Sequence, residues 1–430
     1  MVFRKARLLG AISLMGAAAV AATAADAQTA GNAGVQTFFT GTICNSSNVA
    51  TVPLFLARCS ETNDNGVFAN ISGNSESSLN PNQVSVNASN ALAKAQALAQ
   101  ETQDRLEAIR GEEQGKPGAD SGTIASFGPW GIFANVEGEW FDQSRQAYAN
   151  ERGFDGKRYR GTLGADYRLD GGSHVGLMLS YEDYKSTFDK ELPGTNFTPT
   201  SDAGGVKSKT WAASLFASFQ LSDSAWVDAS AGYAWSDNDF RRNAIFQPST
   251  RNPAFTRDIR AVGSADGKQY FLALGAGFDL GEGPWSFGPY LRGRYVKSDI
   301  DGYRESDLNN TGLQLDVEKQ KATSLTTVVG ASASYAIGAS WGVIVPQARL
   351  EFEHEFEDDA RATITRFALD PNRLPFTVTS DRPDRNYFNG GVSLLFVLPN
   401  GVMPFVDYEA LLGYSGFDRH RVTLGLRLEI

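Results

Sequence analysis

The end of the chain alternates without a break. Val422, Leu424, Leu426, Leu428 and Ile430 interleave with Arg421, Thr423, Gly425, Arg427 and Glu429. A period of two puts successive side chains on opposite faces of a β-strand, so one face is wholly apolar and the other mostly polar. A soluble sheet would bury the apolar face under a second layer, but the charges opposite also need water or partners. Hydrocarbon outside and water inside a closed barrel satisfy both faces, and few other arrangements do.

The same pattern recurs backwards through the chain. Alternating segments fall at residues 130–142, 158–169, 174–184, 208–221, 225–240, 268–280, 285–297, 321–337, 342–356, 385–398, 402–414 and 419–430. In the first, Ile132, Ala134, Val136, Gly138 and Trp140 share one face, and Asn135, Glu137 and Glu139 the other. The connections sort as well. Tight turns at 170–173, 222–224, 281–284, 338–341 and 399–401 alternate with long loops at 143–157, 185–207, 241–267, 298–320 and 357–384, and only 415–418 is short on the second side. Outer-membrane barrels place short turns on the periplasmic side and long loops outside, in even numbers of strands. The expected fold is therefore all-β: an antiparallel transmembrane barrel of about twelve strands spanning 130–430. Its mean hydropathy of -0.28 is no objection, because only the outward face of a barrel must be apolar.

What precedes the barrel reads as separate pieces. Arg4, Lys5 and Arg7, an apolar run over 8–20, and Ala25-Asp26-Ala27 form a secretory signal peptide over 1–27, cleaved after Ala27. Residues 28–86 are rich in Asn, Ser, Thr and Gly, and read as a short extension with disordered flanks. Its Cys44 and Cys59 are the two cysteines of the chain, and in an exported protein the reading is a disulfide. From 87 to 115 the composition turns to Ala, Leu, Gln and Glu, predicting a helix capped by Asn87 or Ser89 and ended near Gly111. Leu92, Ala95, Leu98, Ala99, Thr102, Leu106 and Ile109 make a thin face at helical spacing. Such a helix is long enough to plug a polar pore; an exposed linker helix is the alternative. Residues 116–129 are a linker of Gly, Pro and Ser.

Inward positions carry charge. Glu137, Glu139, Arg158, Arg160, Asp166, Arg168, Asp228, Arg292, Arg294, Arg349, Glu351, Glu353, Asp407, Glu409 and Arg427 are expected to line the pore, paired across it, as a hydrated scaffold with no catalytic role. Trp140, Tyr167, Trp211, Tyr233, Trp235, Trp285, Tyr295, Phe352 and Tyr414 fall near segment ends in the outward register, where interfacial girdles belong. A net charge of -10 argues against a nucleic-acid partner. The expected partner is outer-membrane lipid around a monomer, with no cofactor or metal.

Catalysis is poorly supported. His174 falls at a tight turn; His354 has Glu353 and Glu355 beside it but on the opposite face; His420 lies near Asp418 at the rim. A serine hydrolase site, zinc motif or phosphate loop is not legible. The chain is read as a non-enzyme, with a porin-like channel and a loop-mediated adhesin as alternatives. For adhesion the charged loops are the candidates, Arg242, Arg251, Arg257 and Arg260 in one and Glu357, Asp358 and Asp359 in another; solvated loop charge is the simpler account.

Several local patterns carry a resemblance. Residues 161–170 (GTLGADYRLD) followed by 174–181 (HVGLMLSY), 216–219 (FASF) leading to 226–233 (WVDASAGY), and 289–292 (PYLR) with Tyr295, Asp301, Tyr303 and Glu305 occur in order, followed by Ala348, Arg349, Leu350 and Glu351 with His354. In that order they resemble the C-terminal translocator domain of autotransporters, over roughly 127–430. The resemblance implies export across the inner membrane, periplasmic chaperones and the barrel-assembly machinery as partners, a helix in the pore, and an N-terminal segment anchored or passed outward. Two features depart from it. The chain ends in Ile430 where the family signal usually ends in an aromatic, and the segment before the helix is short for a β-helical passenger. Some members release their passenger by cyclisation of an Asn in the barrel; Asn87 and Asn90 sit at that place without the paired Asn, and capping is the preferred role.

Overall fold

The computed structural model describes residues 35, 38–54, 56, 81–115, 129–144, 150–191, 197–248, 258–399 and 401–429. The expected signal peptide over 1–27, all but the last residue of the expected 116–129 linker, Cys59, Arg251 and Arg257 lie outside them. Twelve long antiparallel strands form a closed barrel. They are β1 (Trp130–Gln143), β2 (Phe154–Arg168), β3 (His174–Phe188), β4 (Gly204–Gln220), β5 (Ala225–Ala244) and β6 (Ile259–Phe278), then β7 (Trp285–Ile300), β8 (Gln320–Tyr335), β9 (Gly342–Glu355), β10 (Asn386–Val397), β11 (Val402–Leu412) and β12 (Phe417–Glu429). Each pairs with its sequence neighbour, and β1 pairs with β12 from Gly131 opposite Glu429 to Gln143 opposite Phe417. Closure gives the terminal strands a partner on both sides, the condition for backbone amides to survive in hydrocarbon.

Alternation decides which face each side chain takes. Ile132, Val136, Leu163, Leu177, Leu215, Leu272, Leu291, Val329, Leu350, Leu424 and Leu426 are exposed outward. Trp130 and Trp285 mark the short-turn end of this belt, and Trp140, Trp211 and Trp235 the long-loop end. Tight turns rest on backbone shapes suited to glycine; Gly171 and Gly401 have φ of 78° and 75°.

Some boundaries differ from the sequence expectation. β2 begins at Phe154, not at 158, and β6 at Ile259, not at 268. β5 and β6 are each 20 residues long, about twice what a tilted strand needs to span a bilayer, so their hairpin rises beyond the lipid. Its loop residues still pair, which alternation of hydrophobicity cannot reveal where no lipid face exists. Arg242, taken as loop charge, stands on this ribbon and is buried.

Among the described residues one long helix, α1 (Asn82–Gly115, 34 residues), lies inside the barrel. It starts at Asn82, five residues before the expected Asn87, because Asn82 is engaged by Arg152: the Arg152 N–H donates to Asn82 O at 3.2 Å, and Nε to Oδ1 at 3.2 Å. Asn87 and Ser89 are therefore interior to the helix and do not cap it. Its first turns lie at the long-loop end, and Arg105, further along, meets Asp166 near the short turns.

The long loops fold over the open end. Tyr303–Arg304, Leu315–Val317, Ala362–Phe367 and Pro375–Thr379 make a small antiparallel sheet, and Phe197–Pro199 pairs with Phe246–Pro248.

Candidate functional site

The bore is occupied by α1 along its described side chains. The expected apolar face is buried, with Leu98, Ala99, Leu106 and Ile109 at 3% exposure or less, and packs on Met178, Phe216, Phe271, Val296 and Ala322 of the wall. The helix thus leans on one side of the barrel. Polar residues around the rest of the helix are buried too, and several reach a wall group. Lys94 Nζ donates to Ser208 Oγ at 2.7 Å and to Asn238 Oδ1 at 3.1 Å. Gln96 Nε2 donates to Ser324 Oγ at 3.0 Å, and Arg294 Nη1 to Gln100 Oε1 at 2.7 Å.

Acids on the helix meet arginines on the strands. Glu101 pairs with Arg160 at 3.1 Å, Glu107 with Arg292 at 2.6 Å, and Asp104 with Arg349 at 3.5 Å and with Arg421. Arg105 pairs with Asp166 at 3.1 Å and lies over the Phe133 ring, 4.3 Å from its centroid. Charged hydrogen bonds in a space shielded from bulk water are stronger than exposed ones, and breaking one leaves an uncompensated buried charge.

Glu137, Glu139, Arg158, Arg160, Asp166, Asp228, Arg292, Arg294, Glu351, Glu353, Asp407, Glu409 and Arg427 are buried on the inner face, and Arg168 and Arg349 are half-buried. Their pairing differs from the expected contacts across an open lumen. Arg158 meets Glu137 at 3.0 Å and Glu139 at 2.6 Å on the adjacent strand; Arg349 meets Asp407 at 3.0 Å and Glu409 at 2.7 Å; Arg427 meets Asp166 at 2.7 Å. The adjacent strand, the next strand but one and the helix supply the partners, because the helix stands between opposite walls. Arg421 belongs to the same network, bonding Glu409 at 2.7 Å. The outward partners of β12 marked its polar face, but nothing in the spacing tied it to the helix.

One expected position is corrected. Tyr414 is not on the outward belt: it follows β11, packs 5.2 Å from Tyr387, and accepts the Asp384 N–H at 3.2 Å. His420 stands exposed on β12, 2.8 Å from the Tyr408 hydroxyl, and the base-and-acid pair with Asp418 has no counterpart among its hydrogen bonds. Among the described residues no group of His, Cys, Asp and Glu is arranged to hold a metal.

Above the bore is a second core. Val35, Phe39, Ile43 and Val49 of the N-terminal extension are buried together with Val84 and Val86 of α1 and with Leu313, Leu315, Val317, Phe367, Phe376 and Val378 of the loops. Phe39 meets Phe367 edge-on at 4.9 Å. Ser46 and Asn48 bracket Asn372, whose Nδ2 donates to Ser46 Oγ at 2.6 Å and whose Oδ1 accepts from Asn48 Nδ2 at 2.8 Å. This extension, read as polar and loosely held, is folded against the loop sheet over the described part. Its apolar residues looked sparse because the loops supply the rest of the core. Cys44 is disulfide-bonded. Arg242 is joined to Glu305 at 2.6 Å inside this layer, and Asp358 pairs with Arg385 at 2.6 Å, so neither is a free loop charge.

A closed barrel with a lipid-facing belt, a helix through its bore and a loop cap defines an outer-membrane barrel of the autotransporter type. The family model of the autotransporter β-domain matches residues 132–409, and the chain belongs to that family. Such β-domains reside in the outer membrane. The translocator domain of autotransporter NalP from Neisseria meningitidis has the same fold, with a TM-score of 0.52 and 11% identity, covering 79% of this chain and 99% of that one. Esterase EstA of Pseudomonas aeruginosa is 24% identical over 274 residues, 63% of this chain and 38% of that protein. A protein of the trpE-trpG intergenic region of Pseudomonas putida is 26% identical over 236 residues, 53% of this chain and 35% of that one. The chain thus spans less than two fifths of the length of these relatives.

Proposed function

We propose that this translocator carries residues 28–86 through its own bore to the outside and keeps them there as a cap, instead of releasing a passenger. The observation that carries the reading is the shared core: Phe39 and Ile43 are fully buried among residues of the long loops, which outer-membrane barrels turn outward. An apolar anchor of this kind ties the segment to its own barrel; burying side chains of this size contributes about 2–3 kcal/mol each. The rest of the reading follows the family. Residues 1–27 direct export and are removed, chaperones and the barrel-assembly machinery insert a monomer into lipid, and Cys44 pairs with Cys59 in the oxidising periplasm.

A filled, ion-paired bore argues against a porin-like role. Hydrolysis, the activity named for the relative esterase, is not part of the proposal. His354 bonds Asn386 and His420 bonds Tyr408, which leaves neither set beside a serine as a base. Protease treatment of intact cells carrying an epitope at Thr29 tests the display. Cleavage without membrane rupture is the expected result; cleavage only after rupture overturns it.

A further inference from the structure

We propose that a cavity beside the outer half of α1 binds small organic acids, molecules with one carboxylate on an apolar body. The cavity measures about 500 Å³, within the range of small-molecule sites. It exists for two reasons visible in the fold. The apolar face of α1 leans on the wall from β3 to β8, which opens room against β1 and β10 to β12. The loop between β11 and β12 covers only residues 413–416, so nothing there folds across the opening as the longer loops do elsewhere.

The unsatisfied groups around this space are donors. Asn90 is 5% exposed, lines the cavity, and its Nδ2 has no hydrogen-bond partner among the described residues. A buried amide without a partner costs free energy that a ligand acceptor would recover. Arg382 at the mouth is exposed and makes no ion pair with a described residue, and the Arg361 side chain donates to Ser89 Oγ at 3.4 Å and stands within electrostatic range of Glu151. The acids of the wall are already used. Glu151 accepts from Ser89 Oγ at 2.6 Å and Gln143 Nε2 at 3.1 Å; Asp381 accepts the Asn150 and Glu151 N–H groups at 2.6 and 3.3 Å; Asp384 accepts the Ser415 N–H at 2.5 Å. A ligand must therefore bring acceptors, and two guanidinium groups favour a planar anion.

Part of the wall is apolar or aromatic, Phe141, Phe154, Tyr184, Tyr387, Leu411 and Phe417, beside charged groups that already have partners, Glu139 with Arg158, Glu355 with Ser324 and Arg419 with Glu409. These surfaces suit a hydrocarbon or aryl body. A doubly charged phosphate would sit close to Asp384, whose charge disfavours it more than a singly charged carboxylate. The inference does not depend on whether residues 28–86 are displayed, since the site is built from the barrel, α1 and the loops.

Titration calorimetry on the full chain in detergent tests it with 4-phenylbutyrate as probe, and with acetate, benzyl alcohol and inorganic phosphate as comparators. The expected result is saturable binding of phenylbutyrate, with each comparator weaker by about tenfold or more. Arg382→Ala, at an exposed position where folding is not at stake, should weaken the probe by about tenfold. Leu411→Trp should fill the space and abolish binding, while the variant keeps the compact mobility of a folded barrel on unboiled gels. Absence of phenylbutyrate binding overturns the proposal. So does equal binding of benzyl alcohol, or binding that Arg382→Ala leaves unchanged.

Discussion

Arg160 on β2 and Glu101 on α1 meet at 3.1 Å in the interior of the barrel, both almost completely shielded from solvent. The same guanidinium also donates to the Ala97 carbonyl at 3.2 Å and bonds Glu182 on β3, so one wall residue fixes helix and sheet together. Thr162 and Ser180 complete the seat of Glu101. Repeated at Arg292 with Glu107 and at Arg421 with Asp104, this arrangement makes the helix a keyed plug and not a greasy one.

Replacing Glu101, Asp104 and Glu107 together by alanine removes the anions that Arg160, Arg292, Arg349 and Arg421 share with the helix. Breaking a buried pair outright costs about 3–5 kcal/mol, and here each loss is smaller because Arg160 keeps Glu182, Arg292 keeps Glu351, and Arg349 and Arg421 keep Glu409. The helix should leave the bore for part of the time. Planar-bilayer recordings of the full chain should then show open events several times larger than those of the unaltered protein. Equal conductance would mean that the apolar face alone holds the plug.

The barrel was legible because lipid imposes a period of two on every strand it touches, as Ile132 to Trp140 and Val422 to Leu428 show. The inward charges were legible for the same reason, as the complement of that face. Their partners were not. Arg158 with Glu139 follows from strand register, and Arg160 with Glu101 from the docking of a helix, and neither spacing is written in a single segment. The cap was invisible for a different cause: Phe39, Leu313 and Phe376 come from segments without periodicity, and only their convergence makes a core.

Within the wall, close packing sets a sharper test. The Phe133 ring lies flat on Gly164 of the paired strand, and a Cβ there would stand 2.2 Å from its Cζ and 2.7 Å from the Leu177 carbonyl oxygen. Gly164→Val must push the ring from under Arg105 or distort the strand, a strain of about 1–3 kcal/mol or more. The folded fraction after refolding into detergent, read as heat-modifiable mobility, should fall. Adding Phe133→Ala should restore much of it. Failure of that second change to help would place the strain in the backbone contact with Leu177.

The cap predicts a separable lesion. Phe39→Asp puts a charge among Phe367, Phe376 and Val378, where neither water nor a cation reaches it, a penalty beyond the about 3–5 kcal/mol of a Phe→Ala change. The extension should detach while the barrel stays folded. Limited proteolysis should then remove residues before Asn82, with heat-modifiability unaltered. Resistance equal to that of the parent would show that the Ser46 and Asn48 contacts with Asn372 suffice.

Glu151, in the loop after β1, gives the outer end a dependence on pH. Burial pushes its carboxyl up to about 7, against hydrogen bonds from Ser89 and Gln143 that favour the anion, and the nearby Asp381 adds to the rise. In the unfolded chain the same group titrates near about 4.3. The folded state therefore holds the proton more tightly, and the stability this adds is complete below the unfolded value. It is lost as pH climbs from there through the folded value, on the order of 3–4 kcal/mol at most. Because Ser89 lies on α1 and Glu151 on the loop, the loss falls on the contact between plug and rim. Hydrogen exchange at residues 86–92 and 150–153 should accordingly be faster at pH 8 than at pH 5.5 once intrinsic rates are corrected. Glu151→Gln keeps an acceptor for Ser89 without the charge, so its corrected exchange should be level across the same range; a slope that survives the substitution would move the origin of the effect to another group.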